Sequence, residues 1–128
     1  MRKALPFVVL IVIVIAGCKG KLELVEDVQL EAGLSQYRMI EAISSEQKIN
    51  VSAKATNGVF SIYVFLEKDK AAVDTEIMQG KPGAKVLAHK QKVSDAELQV
   101  TVPAKEACTV MLTSADGKKA EVKLKITN

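Results

Sequence analysis

Alternation of apolar and polar residues over short runs is the feature that most limits how this chain can fold. Apolar side chains occupy every second position in 96–102 and 122–126, with similar patterns in 22–30 and 49–53. A period of two places these side chains on one face of a β-strand, whereas a helix needs a period near 3.6. The pattern therefore predicts antiparallel strands with one buried and one solvated face.

One further run, Val59 to Leu66, is apolar on both faces. We expect it to be a central strand that is covered on both sides, and we expect two more strands at 35–43 and 108–114. Asn57-Gly58 and Asp116-Gly117 stand between strand-like runs and predict hairpins, since Gly and Asn tolerate positive φ. Short strands separated by regular turns predict an all-β fold, a single antiparallel β-sandwich (jelly-roll or immunoglobulin-like) of about 7–8 strands.

A single short helix is predicted over 71–79, closed by Gly80. Val73, Ile77 and Met78 recur there at nearly helical spacing. We expect this helix to cap an open end of the sandwich.

The order of these features resembles the small jelly-roll sandwiches of bacterial pre-peptidase C-terminal and GOLD-like domains. The features that carry the likeness are a strand near Tyr37, the strands Lys48–Lys54, Phe60–Leu66, Leu98–Val102 and Cys108–Thr113, and Pro103. Residues 106–110 stand where those domains have a Gly-x-Tyr-type motif. Such domains are generally non-catalytic, so the resemblance implies an architecture and an accessory role.

The N-terminus has the layout of a secretory signal peptide. Arg2 and Lys3 precede an uncharged, apolar run from Ala4 to Ala16, and Gly17-Cys18 follows. A membrane-spanning helix needs about 20 apolar residues, so this run is short for a permanent span. An uncleaved anchor is the alternative interpretation.

Ile15-Ala16-Gly17-Cys18 resembles the lipobox of bacterial lipoproteins. The resemblance implies that Cys18 receives a diacylglycerol through a thioether and that cleavage falls between Gly17 and Cys18. We therefore expect a signal peptide at 1–17, a lipidated Cys with a short linker at 18–23, and a β-sandwich domain at 24–128. The expected location is the bacterial cell envelope, with the lipid in the outer or inner membrane and the domain facing the periplasm or the exterior.

Charge and aromatic content disfavour nucleic acid as a partner. Loss of Arg2 and Lys3 with the signal peptide would leave 16 basic against 15 acidic residues, a net charge of +1. Nucleic-acid surfaces concentrate basic residues on one face, and single-strand grooves also use stacking aromatics. Only 4% of the residues are aromatic, which disfavours such grooves and sugar platforms alike.

The residues that usually carry catalysis or bind metals are scarce. His89 is the only imidazole, and Cys108 is the only cysteine besides Cys18. Cys108 alternates with Val110 and Leu112, which favours a buried and inert thiol. Zinc sites take three or four His, Cys or carboxylate ligands, so we expect no metal, no cofactor and no catalytic residues.

Four carboxylates fall within ten residues, at Glu67, Asp69, Asp74 and Glu76. Calcium prefers several oxygen ligands, so a loop site is conceivable here. Lys68 and Lys70 lie among these acids, however, which favours a solvated charged segment.

The sequence favours a membrane-anchored, non-catalytic interaction or accessory module whose partner is another envelope protein. A small-ligand or lipid carrier is one alternative, and it would need a cavity between the strands. A periplasmic enzyme inhibitor is another, with an interaction loop at Gly80, Lys81, Pro82 and Gly83. The oligomeric state is left open.

Overall fold

The computed structural model describes residues 22–81, 83, 85–115 and 117–128. The strands are β1 (Glu23–Leu30), β2 (Ser35–Ile40), β3 (Gln47–Asn57), β4 (Phe60–Leu66), β5 (Val86–Val93), β6 (Asp95–Val102), β7 (Cys108–Ser114) and β8 (Ala120–Thr127). A 3-10 turn at Glu67–Asp69 leads into the helix α1 (Lys70–Met78). The predicted signal peptide, the lipobox with Gly17 and Cys18, Pro82 of the predicted loop and Asp116 of the predicted second hairpin lie outside the described residues.

The strands form two antiparallel sheets of four strands each. Sheet A has the order β1-β8-β3-β6, and sheet B has the order β2-β7-β4-β5. The predicted all-β sandwich is therefore confirmed. The strand β1 begins at Glu23, the last residue of the predicted linker, and β2 ends at Ile40 rather than at residue 43.

The core lies between the two sheets. The buried side chains come from alternate positions of every strand except β5: Val28, Leu30, Ile40, Ile49, Val51, Ala53, Phe60, Ile62, Val64, Ala96, Leu98, Val100, Val102, Cys108, Val110, Leu112, Ala120, Val122, Leu124 and Ile126. In β1, β3, β6 and β8 these are the apolar positions of the predicted alternating runs, because a strand that buries one face must place every second residue there.

The two predicted hairpins are wrong, because both turns cross between sheets. Asn57-Gly58 connects β3 of sheet A to β4 of sheet B, and residues 115–119 connect β7 of sheet B to β8 of sheet A. The residue types of a turn indicate that the chain reverses, but they do not say which strand pairs with which. Gly58 is needed for two reasons: its φ is +84°, and an added Cβ would lie 2.9 Å from the Lys119 carbonyl oxygen.

The strand β4 is covered on both faces, as predicted, but its second cover is the helix α1. Val73 is fully buried against the outward-facing side chains Tyr63, Phe65 and Met111 of sheet B. The expectation that the helix caps an open end is therefore wrong. The helix packs on a face of sheet B because the apolar side chains of β4 on that face are buried by it. Met78, which the sequence grouped with Val73 and Ile77, points to solvent and is 86% exposed.

The strand β5 was not predicted from the sequence. It lies at the edge of sheet B, pairs with β4 alone, and has two register irregularities. Lys92, near its end, has a positive φ of 55°. Irregular, charged strands are typical of sheet edges, where they hinder pairing with another chain. Such a strand buries too few residues to produce an alternating pattern.

Neither described helical segment has the length and hydropathy needed to cross a membrane; this statement covers the described residues alone.

Candidate functional site

Cys108 lies in the core at the start of β7, as predicted. Its side chain is fully buried, with Val110 and Leu112 on the same face of the strand. Burial raises the pKa of the Cys108 thiol from 9.0 to about 12. Nucleophilic cysteines need access and a lowered pKa, so this thiol is arranged as a small apolar side chain.

His89 lies on β5, exposed to solvent. Its ring stacks on that of Tyr63, with ring centroids 6.0 Å apart. Gln91 Nε2 donates a hydrogen bond to the Tyr63 hydroxyl oxygen at 3.1 Å, on the neighbouring strand. Among the described contacts, the imidazole thus has an aromatic partner and makes no hydrogen bond to a nucleophile.

The four clustered carboxylates point to separate partners. Glu67 accepts a hydrogen bond from the Thr109 hydroxyl on β7. Asp69 lies 3.9 Å from Lys85 Nζ. In the part of the chain that the structure describes, no group of three or more His, Cys, Asp or Glu side chains is placed to hold a metal ion.

Asp74 joins the helix to the edge strand β2. Its carboxylate lies 3.4 Å from Lys70 Nζ and accepts a hydrogen bond from the Tyr37 hydroxyl, also at 3.4 Å. Lys70 Nζ lies 4.4 Å from the centre of the Tyr37 ring. Burial and then Asp74 raise the pKa of Tyr37, while Lys70 acts in the opposite direction.

Glu76 organises the segment that follows α1, which includes the predicted interaction loop. Its Oε1 accepts a hydrogen bond from the backbone N–H of Gly83 at 3.1 Å, and its carbonyl accepts one from Lys81 N at 2.9 Å. Gly80 has a φ of +77°, which turns the chain away from the helix. The exposed Lys81 lies in this segment, which is tied back onto the helix by Glu76.

The sequence did not reveal an ion pair between the two sheets. Arg38 of β2 and Glu26 of β1 form two hydrogen bonds, Nε to Oε2 at 2.6 Å and Nη2 to Oε1 at 3.0 Å. The only feature of the sequence that indicates this ion pair is Glu26, a charged residue on the otherwise apolar face of β1. Its partner could not be identified, because β1 and β2 belong to different sheets and do not pair.

A shallow groove crosses the outer face of sheet A between β1 and β8. Its volume is about 260 Å³, and it is lined by Asp27, Val28, Gln29, Thr56, Glu121, Val122 and Lys123. The polar side chains here come from the solvated face of the strands, and both signs of charge are present. The groove has the character of a hydrated surface.

The fold is similar to that of a solved bacterial domain. A pre-peptidase C-terminal domain of collagenase from Bacillus anthracis superimposes with a TM-score of 0.58 at 13% identity, over 82% of this chain and 89% of that one. At this identity the likeness concerns the fold, and it agrees with the sandwich resemblance inferred from strand order. No family profile matches the chain, and no curated protein matches it either.

Proposed function

We propose that this protein is a cell-envelope lipoprotein, held in the membrane by acyl chains on Cys18, whose sandwich is a non-catalytic interaction or accessory module. Its expected partner is another envelope protein. The proposed anchor requires at least two acyl chains for stable attachment, since burial of each methylene contributes about 0.8 kcal/mol.

The placement of the titratable groups is the observation that carries the non-catalytic assignment. The buried Cys108 thiol and the exposed His89 lie on different strands and different faces of sheet B, and the carboxylates near α1 each have a separate structural partner. Catalysis by a nucleophile, a base and an orienting acid needs those groups to converge. The described residues instead use their polar groups to hold the helix and the loop.

The packed interior supports this proposal over a ligand carrier. The buried side chains of seven strands occupy the space between the sheets. A carrier needs an enclosed apolar cavity of several hundred Å³, on the order of the 300–1,000 Å³ of small-molecule sites. The groove on sheet A opens to solvent and is lined mainly by polar side chains.

A pair of cysteine substitutions tests the anchor. Cys18→Ala should abolish labelling by a radioactive fatty acid and leave either soluble protein or an uncleaved precursor. Cys108→Ala is the matched control, since it removes the other thiol and should leave labelling and membrane association unchanged. Full labelling of the Cys18→Ala variant would show that the anchor assignment is wrong.

Native mass spectrometry of the acylated protein, extracted from the envelope in mild detergent, tests whether the domain binds another protein. A protein bound at fixed stoichiometry, and retained after detergent exchange, supports the interaction module. Lipid bound in addition to the covalent chains, without a protein partner, would contradict it in favour of the carrier.

A further inference from the structure

The two ends of the sandwich differ in their distance from the start of the described chain. At one end, which we call the near end, Leu22 N donates a hydrogen bond to Asn128 Oδ1 at 2.9 Å. The loops 41–46 and 103–107 lie at this end too, joined by a hydrogen bond from Lys105 N to the Ile43 carbonyl at 2.7 Å.

The opposite end, which we call the far end, holds the turns 31–34 and 57–59, together with residues 117–119 before β8. Leu30 pairs with Ala120 there, and Asn57 pairs with Glu121. The eight residues of β1 separate the two ends. At a rise of about 3.3 Å per residue, this places them roughly 25 Å apart.

The linker between Cys18 and the fold is too short to bridge that distance. Four residue steps lead from Cys18 to Leu22. They span at most about 14 Å when fully extended. An anchor at Cys18 therefore keeps the near end close to the membrane surface, whereas the far turns reach it only if the domain lies on its side.

The outer face of sheet A gives little reason for the domain to lie on its side. A row of exposed charges crosses its four strands in register: Asp27 beside Lys123, Lys123 beside Lys54, and Lys54 beside Asp95. The row contains two positive and two negative groups. It therefore offers no net attraction to anionic lipid. The near-end loops, with Glu41, Glu46 and Glu106 against Lys105, offer none either, so the length of the linker sets the orientation.

We propose that the near end, with the loops 41–46 and 103–107, faces the lipid headgroups and that the far end is presented away from the bilayer. This inference rests on the proposed lipid anchor at Cys18. It assigns the near end to a lipid surface and leaves the far turns open to a protein partner.

Fluorescent labels at three exposed positions test this orientation. Ser45→Cys lies in a near-end loop, Lys118→Cys in a far-end turn, and Met78→Cys on the helix that covers sheet B. Cys108 is fully buried, and the Cys18 sulfur would carry the lipid, so the parent protein should take up no label. The acylated variants are reconstituted into phosphatidylcholine–phosphatidylglycerol vesicles that contain a nitroxide quencher on the headgroup.

Quenching should be strongest at residue 45 and at least about threefold weaker at residue 118, because the two ends are separated by the length of a strand. Equal quenching at these two positions, or strongest quenching at residue 78, would overturn the orientation in favour of a domain lying on its side. Failure of the anchor is a separate result. In that case the parent protein would take up label at Cys18 and would not float with the vesicles, and both proposals would fall.

Discussion

Arg38 and Glu26 connect the two sheets across the edge strands β1 and β2, which belong to different sheets. The guanidinium makes two hydrogen bonds to the carboxylate, and its third nitrogen donates to the Tyr37 carbonyl oxygen at 2.8 Å. The side chains are only 15% and 28% exposed. Two parallel hydrogen bonds in a partly dehydrated site give a stronger pair than a single surface contact.

Breaking this pair should destabilise the protein more than breaking an exposed pair nearby. We expect Glu26→Gln to lower the free energy of unfolding by about 1–2 kcal/mol, because Arg38 is left partly buried without its charged partner. Urea unfolding of both single variants and of Glu26→Gln/Arg38→Gln should give a coupling energy of about 1 kcal/mol.

Asp27, the next residue on β1, provides the matched control. It lies 4.0 Å from Lys123, and the two side chains are 83% and 61% exposed. Asp27→Asn should change the free energy of unfolding by less than about 0.5 kcal/mol. Equal effects of the Glu26 and Asp27 substitutions would contradict a special role for the inter-sheet pair.

A comparison of Gly→Ala variants at Gly58 and Gly33 separates the cost of backbone strain from the cost of a close contact. Both have positive φ, +84° and +78°, but only at Gly58 would an added Cβ meet other atoms. Gly33→Ala should cost about 1 kcal/mol from φ alone. Gly58→Ala should cost about 3 kcal/mol, because the turn must also move away from Lys119 and Ala120. Similar melting temperatures for the two variants would show that the close approach has no energetic importance.

The parts of the fold that were predictable from sequence are the strands with one buried face. The strands β6 and β8 alternate without interruption, because each packs one side against the core and exposes the other. The edge strand β5 gave no such pattern, since most of its residues are exposed and its register is irregular. Apolar and polar residues alternate in a strand only when one of its faces is buried, so a mostly exposed strand cannot be recognised by this pattern.

The sequence predicted the positions of the strands better than it predicted which strands pair with each other. Asn57-Gly58 correctly predicted a turn, yet the chain crosses to the other sheet there. The same limit applies to the candidate site. The burial of Cys108 follows from its position in an alternating run, whereas the partners of Glu26 and Glu76 depend on how separate elements pack together.

Val73 should make the main contribution to the packing of helix α1 against sheet B. This side chain is fully buried against Tyr63, Phe65 and Met111, so truncation would leave a cavity between helix and sheet. We expect Val73→Ala to lower the free energy of unfolding by about 2 kcal/mol. Met78→Ala, at a position 86% exposed on the same helix, should change it by less than about 0.5 kcal/mol. If Met78→Ala had the larger effect, the placement of the helix would be wrong.

The raised pKa of Cys108 should make stability depend on pH in the alkaline range. The unfolded thiol loses its proton near its ordinary pKa of 9.0, whereas the folded thiol keeps it until about pH 12. Between these values the folded state binds more protons, so this group makes the free energy of unfolding fall as the pH rises, by up to about 1.4 kcal/mol per pH unit. At pH 8 and lower the thiol is almost fully protonated in both states, so it contributes almost no slope there.

Comparison with Cys108→Ala isolates this effect from the lysines, whose titration is common to both proteins. Urea unfolding at pH 8 and pH 10.5 should show the wild-type protein losing about 2 kcal/mol more than the variant between the two conditions. The variant itself should be less stable at pH 8, because it removes buried sulfur from the core. Identical pH dependence of the two proteins would mean that the thiol ionises as easily in the folded state as in the unfolded chain, which is incompatible with its position between Val110 and the neighbouring core side chains.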